Sequence, residues 1–260
     1  MNKKTIYYSD EVNDEFAGVK RKGYEVPKNY KYVHKCLLWR TAAFFVYRII
    51  MTPIAYLYCK IKLHLKIVDR TDKKWRKNKG CFLYSNHTLI IGDAFIPSLL
   101  MFPKRTYVIV SSENLSTKGT RSFLSMSGAL PIPRSVAAFR NFNEAIEKRI
   151  LQKNCVAIYP EAHIWPYYTG IRHFESKSFR YPVKFDAPIY VSTSTFSKRK
   201  EGKPPKVTVY LDGPFYPDNK ISPHEAEKTL RDTAYETMLK NSKNSSYEFI
   251  EYVKKEDAKK

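Results

Sequence analysis

From residue 80 onward the chain alternates between short apolar runs and longer stretches of mixed character. Cys81–Tyr84, Thr106–Val110, Ala129–Ile132 and Val156–Tyr159 each read as a strand. Unbroken apolar runs of that length suit strands buried on both faces. Val136 to Lys153 instead spaces Ala138, Phe142, Ala145, Ile146 and Ile150 along one side of an amphipathic helix. Further on, Pro188–Thr195 and Lys206–Leu211 are strand-like and flank the basic turn Lys198-Arg-Lys-Glu-Gly-Lys-Pro-Pro. Ser222-Pro-His-Glu225 combines an N-cap, a proline at the first helical position and a capping-box glutamate, which predicts a helix to about Leu239. The alternation predicts an α/β fold: a mixed, largely parallel sheet flanked by helices.

Upstream the pattern differs. Leu37 to Cys59 is apolar for long enough to cross a bilayer, but Arg40 and Arg48 interrupt it and Pro53 would bend it. Lys31 and Lys35 precede it, and Lys60, Lys62 and Lys66 follow. Basic residues at both ends argue against a simple crossing. The segment reads as a helix or bent helix pair lying in one leaflet, its cations reaching phosphates; an ordinary buried helix of the domain is the plainer alternative. Four regions are expected: a polar, irregular or partly ordered N-terminal arm (1–30), a membrane-associating helical segment (31–70), an α/β domain (71–245) and a charged C-terminal tail (246–260). Within them, Arg70 to Lys79 is a dense basic turn leading into the core strand. No apolar signal-peptide core opens the chain.

Charge narrows the partners. The 260 residues carry 46 Lys+Arg against 25 Asp+Glu, a formal net charge of +21, which favours nucleic acid or an anionic membrane surface. An aromatic content of 15% fits either a lipid–water boundary or base stacking. No helix-turn-helix, aromatic RNA-binding signature or zinc finger is present, so nucleic acid is not the expected partner. Cys36, Cys59, Cys81 and Cys155 lie far apart in apolar company, as buried free thiols would, and no cluster has metal-ligand spacing.

The candidate chemistry sits where the first core strand stops, at Ser85-Asn86-His87. α/β sheets keep their chemistry at strand ends. Asp93 follows, just behind Gly92. Two readings stand. If the chain doubles back at Gly92, the carboxylate holds one ring nitrogen and leaves the other free to take a proton. Alternatively Asp93 caps the next helix and His87 bonds to a carbonyl. For His34, His64, His163, His173 and His224 a structural or solvated role is expected.

Three further stretches follow in order: Gly128-Ala-Leu-Pro-Ile-Pro-Arg134, Tyr159-Pro-Glu-Ala162 and Asp186-Ala-Pro-Ile-Tyr-Val191. With Asn86-His87…Asp93, the set resembles the glycerolipid acyltransferases, the 1-acylglycerol-3-phosphate acyltransferases in particular, over roughly residues 80 to 195. That family carries Asn-His, four residues and Asp, then Gly-x-x-Phe-Ile-x-Arg, then Phe-Pro-Glu-Gly-Thr-Arg, then a proline-led strand. Here five residues separate His87 from Asp93, and Ala162-His163 replaces Gly-Thr with no arginine at once. One added residue lengthens the path by at most about 3.6 Å.

The resemblance implies a membrane-associated acyltransferase that moves a fatty acyl group onto the free hydroxyl of a lysophospholipid, lysophosphatidic acid first. An acyl-CoA or acyl carrier protein thioester would be co-substrate, with no cofactor. His87 would be the general base and Asp93 its orienter. Arg134 would grip the acceptor phosphate, Glu161 would anchor the acceptor-side loop, Arg172 would supply the displaced cation, and Asn86 would fix the loop geometry beside the substrate. The protein would sit on the cytoplasmic face of the cell membrane, peripheral or monotopic. The altered motifs leave two rivals open, a catalytically inactive membrane-binding member of the fold or the same chemistry on glycerol-3-phosphate or a lysoglycolipid, and the net charge leaves a basic nucleic-acid-binding protein as a less favoured third.

Overall fold

The computed structural model describes residues 4–18, 23–72, 79–200 and 203–256. Its framework is a seven-stranded sheet of order β2-β8-β7-β3-β6-β4-β5, built from β2 (Lys66–Asp69), β3 (Cys81–Ser85), β4 (Thr106–Val110), β5 (Ala129–Pro131), β6 (Cys155–Ile158), β7 (Ile189–Ser197) and β8 (Lys206–Phe215). All neighbours run parallel except β7 and β8, which are antiparallel. The mixed, largely parallel sheet is therefore as expected, with the anticipated strands in place to within a few residues.

Central position explains the apolar runs. Every residue of β3 and β6 is buried, and alternate residues feed two cores. Phe82, Tyr84, Val156 and Ile158 pack on one face, while Cys81, Leu83, Cys155 and Ala157 pack on the other. The first face is covered by helices α5 (Val136–Leu151) and α7 (Pro223–Ser242). α5 buries the five residues its spacing singled out. α7 opens on the capping box between Ser222 and Glu225 and buries Ala226, Leu230, Ala234 and Met238, a stripe at every fourth residue. The short helices α4 (Arg121–Met126) and α6 (Arg180–Lys184) complete the connections.

The other face is covered by α3 (Gly92–Leu100) and by a continuous helical run, Leu37–Ile61. This run comprises α1 (Leu37–Phe45), a π-helical stretch (Val46–Met51) and α2 (Thr52–Ile61). A π-helical stretch stands just before Pro53, where the sequence predicts a bend. Proline offers no N–H to the carbonyl four residues back, and a wider turn just before it accommodates the loss. Ala43, Tyr47, Ala55 and Cys59 form its narrow buried stripe. Tyr47 anchors the middle, its hydroxyl accepting from the Thr106 N–H at 2.8 Å.

One expectation takes definite form and one is corrected. The polar arm and the charged tail are not simply irregular: Lys4–Tyr8 (β1) and Ile250–Lys254 (β9) pair in parallel as a separate two-stranded sheet. Pairing between segments about 245 positions apart leaves no local periodic signal, and it is held by packing instead. Tyr8, Phe16 and Tyr252 surround the fully buried Trp165 with ring centroids 4.8, 5.3 and 4.9 Å away. Secondly, Cys36 is exposed, unlike the buried Cys59, Cys81 and Cys155, because it precedes the helix at a chain entry rather than facing the core. The basic residues Lys20 to Lys22 and most of the basic turn at 70–79 lie outside the described residues.

Candidate active site

The carboxyl end of β3 delivers Ser85, Asn86 and His87 in succession, and each is fixed differently. The Ser85 hydroxyl pairs with that of Ser192 on neighbouring β7. Asn86, buried, donates to the Ser194 carbonyl at 3.1 Å and accepts from the Ser194 N–H at 2.8 Å. Both functional groups of Asn86 thus bond the β7 backbone, which makes it a latch for the loop. His87 emerges beyond this latch with its side chain 16% exposed.

The ring is held from two sides. His87 Nδ1 lies 2.7 Å from Asp93 Oδ2, and the ring stacks on Tyr159 at 4.4 Å between centroids. Asp93 Oδ2 also accepts from the Leu89 N–H at 2.9 Å, while Asp93 N donates to Leu89 O at 3.0 Å. Of the two sequence readings the first is the one seen: the aspartate holds the histidine and bonds back to the turn at Leu89, while α3 starts without a side-chain cap. The fifth intervening residue is taken up in the turn at Ile90 and Ile91, so the wider spacing does not separate the pair. Burial raises the Asp93 carboxyl above its usual range, opposed by the bond from His87. With Nδ1 committed, Nε2 is the nitrogen left for chemistry.

Behind the ring, β6 ends at Tyr159, Pro160 and Glu161. Tyr159 donates its hydroxyl to the Asp93 carbonyl, so one side chain both stacks on His87 and braces Asp93. This role has no signal in the sequence beyond the aromatic at a strand end. Glu161 and Arg172 form an ion pair at 3.2 Å with side chains 0% and 1% exposed. Arg172 also donates to the carbonyls of His163 and Glu11 and lies 5.0 Å from the Trp165 ring. Glu161 Oε2 faces the His87 N–H at 3.5 Å. Burial pushes the Glu161 carboxyl up to about 6, with Arg172 pulling the other way. Arg172 thus meets Glu161, but its guanidinium is sealed from solvent. Ala162 adopts φ 64° where the resembled motif has glycine; an alanine holds that conformation at about 1 kcal/mol or more.

Arg134 is not brought to the ring. It lies beyond β5, three strands from β3 across the sheet, roughly 14 Å by strand spacing. Its side chain is 62% exposed and pairs with Glu113 at 2.9 Å. The second motif puts it at the same sheet edge as His87, but lateral strand order, which sequence does not reveal, sets the distance. His163 pairs with Glu15 at 3.2 Å and His34 stacks on Trp39. Among the described residues, no group of His, Cys, Asp and Glu is arranged to hold a metal.

The N-terminal arm was missed as part of this site. Glu15 accepts from the Ile164 N–H, the Trp165 indole donates to Asp14 O at 2.8 Å, and Phe16 N donates to Ile164 O. The same loop reaches inward, with Trp165 N donating to His87 O at 3.1 Å and Tyr167 N to Thr88 O at 2.9 Å. The arm and the histidine loop therefore grip one segment from opposite sides.

Residues 66–193 match the Acyltransferase family model. The crystal structure of the 1-acyl-sn-glycerophosphate (LPA) acyltransferase PlsC from Thermotoga maritima shares the fold, with a TM-score of 0.52 and 13% identity over 81% of this chain and 96% of that one. No curated protein matches the sequence. The chain thus carries, over residues 66–193, a segment that matches the Acyltransferase family, seated on a fold shared with PlsC.

Proposed function

We propose that the protein transfers a fatty acyl group from a thioester, acyl-CoA or acyl carrier protein, to the free hydroxyl of a lysophospholipid, with lysophosphatidic acid as the preferred acceptor. The observation carrying this reading is the 2.7 Å contact between His87 Nδ1 and Asp93 Oδ2 at the rim of an acyltransferase-family sheet. His87 Nε2 takes the hydroxyl proton as the oxygen attacks the thioester carbonyl carbon. A tetrahedral intermediate forms, the C–S bond breaks, and the proton passes from His87 to the departing thiolate. Ester and free thiol are the products, so atoms and charge balance with no cofactor. Asp93 keeps the ring in the tautomer with Nδ1 protonated and stabilises the transient imidazolium. General-base assistance of this kind is worth about 10²- to 10⁴-fold in rate.

Arg134 is assigned the acceptor phosphate. Its exposed pairing with Glu113 is worth at most about 1 kcal/mol, so a phosphate can displace the glutamate at little cost, and the planar guanidinium suits it. Glu161 and Arg172 act as a buried brace for the loop rather than as direct ligands.

Membrane attachment is assigned to Leu37–Ile61. The run has a mean hydropathy of 1.5 over its most apolar window, only 22% of which is buried inside the protein. Packing against the domain does not account for that apolarity, and a bilayer leaflet does. The flanking lysines favour an anionic lipid surface, each contributing roughly 1 kcal/mol, and the cytoplasmic face is the side such charge selects.

The test is transfer from labelled acyl-CoA and acyl carrier protein donors to a panel of lyso acceptors, including glycerol-3-phosphate and a lysoglycolipid. Full activity in His87→Ala would remove the base; full activity in Asp93→Asn alone would remove only the dyad. A folded wild-type protein that transfers nothing would favour the inactive, membrane-binding reading.

A further inference from the structure

The turn that closes the dyad carries an unexpected pair of side chains. Ile90 and Ile91 lie between His87 and Asp93 and are 48% and 49% exposed. Turns at a water-facing rim favour Gly, Asn, Asp or Ser, and two adjacent exposed isoleucines are the opposite choice.

They do not stand alone. Ile91 and Phe95 are one helical turn apart and share a face of α3. Phe95 meets Tyr58 of α2 edge-on, with ring centroids 5.4 Å apart. Tyr58 in turn shares its side of α2 with Ile54 and Ile61, four residues before and three after, and these are 47% and 59% exposed. At the base of the turn, Leu63 and Leu89 close around Gly92 so tightly that an added Cβ would meet both at 3.0 Å. An apolar stripe thus runs from the long helix onto the catalytic turn. Lys60 and Lys62, both exposed, border its α2 end.

We infer that Ile90 and Ile91 form an insertion tip that enters an anionic bilayer together with α2, and so set the dyad at the boundary between headgroups and acyl chains. The inference rests on the membrane-associated acyl transfer proposed above and adds where the active site meets the lipid. Lysines bordering an apolar stripe select anionic lipid, and a continuous apolar surface beside a base with a lipid acceptor needs no protein partner to cover it. A lyso acceptor would then present its hydroxyl to His87 without leaving the membrane.

Two measurements on the full chain decide this. In a Cys36→Ser background, which removes the exposed thiol, Ile91→Cys is labelled with an environment-sensitive fluorophore. Glu236→Cys, exposed on α7 over the opposite face of the sheet, serves as control. With phosphatidylglycerol vesicles containing spin-labelled lipid, the label at 91 shifts to the blue and is quenched, while the label at 236 is not. Separately, Ile90→Ser/Ile91→Ser lowers transfer to a vesicle-embedded acceptor by about thirtyfold relative to transfer to a monomeric short-chain acceptor. A label at 91 that stays unquenched on vesicle-bound protein overturns the inference, as does failure to bind these vesicles. Quenching at 91 without acyl transfer by the wild type supports the insertion and overturns the proposed function instead.

Discussion

Arg172→Met places the sharpest demand on the site as described. The substitution removes the only cation paired with Glu161 among the described residues while keeping most of the side-chain volume, so it leaves a carboxylate in a fully buried position. Removing one member of a buried pair typically costs about 3–5 kcal/mol. For a chain of this size each kcal/mol moves Tm by about 2–4 °C, so a loss of about 10 °C is expected at pH 8. The pH dependence follows from Glu161. Its carboxyl is raised from 4.5 to about 6 in the folded protein. The folded value lies above the unfolded one, so stability falls as pH rises from 4.5 to 6, by about 2 kcal/mol, and is restored on acidification. Without Arg172 the carboxyl rises further and the penalty grows at high pH. At pH 5 the folded variant binds the proton, the buried charge vanishes, and only the bonds to the His163 and Glu11 carbonyls are lost, at about 1–2 kcal/mol. The Tm difference from wild type therefore shrinks to about 4 °C. Glu161→Gln/Arg172→Met carries no buried charge and recovers most of the loss at pH 8. Melting curves by circular dichroism at both pH values check this. An equal loss at pH 5 and pH 8, with no recovery in the double variant, would refute the assignment of a charged buried brace.

Other consequences are simpler. Asn86→Ala strips both bonds to the Ser194 backbone and is expected to cost about 1–3 kcal/mol in urea unfolding, with kcat falling more than KM changes because His87 is the next residue. Tyr159→Phe keeps the ring stacked on His87 but loses the hydroxyl bond to the Asp93 carbonyl; kcat should fall by less than about tenfold, and Tyr159→Leu, which loses the stack as well, should fall further. Tyr252→Ala removes the stack on Trp165 and the bond to the Pro166 carbonyl, an expected loss of about 2–3 kcal/mol by urea unfolding. An unchanged midpoint would show that the β1–β9 sheet does not brace the loop.

Much of this was legible along the chain. The apolar runs at 81–84 and 156–159 named the two central strands because burial on both faces leaves no room for alternation. Ser222 and Glu225 named a helix start because their capping bonds are local. β2 escaped notice: Lys66–Asp69 is a short, partly exposed edge strand whose partner, β8, is about 140 positions away. The pairing of the two chain ends was equally silent.

The same division runs through the site. Residue order alone determined that a histidine would stand at a buried strand end with a carboxylate a short turn away, since both depend on neighbours in the chain. Tertiary structure decided which other groups reach that histidine. Strand order put Arg134 three strands off, the path after β6 turned Arg172 inward onto Glu161, and folding of the N-terminal arm brought Glu15 and Phe16 over the loop. Lateral neighbours in a sheet are chosen by how whole faces bury apolar area, a sum over distant segments that no local window of sequence contains.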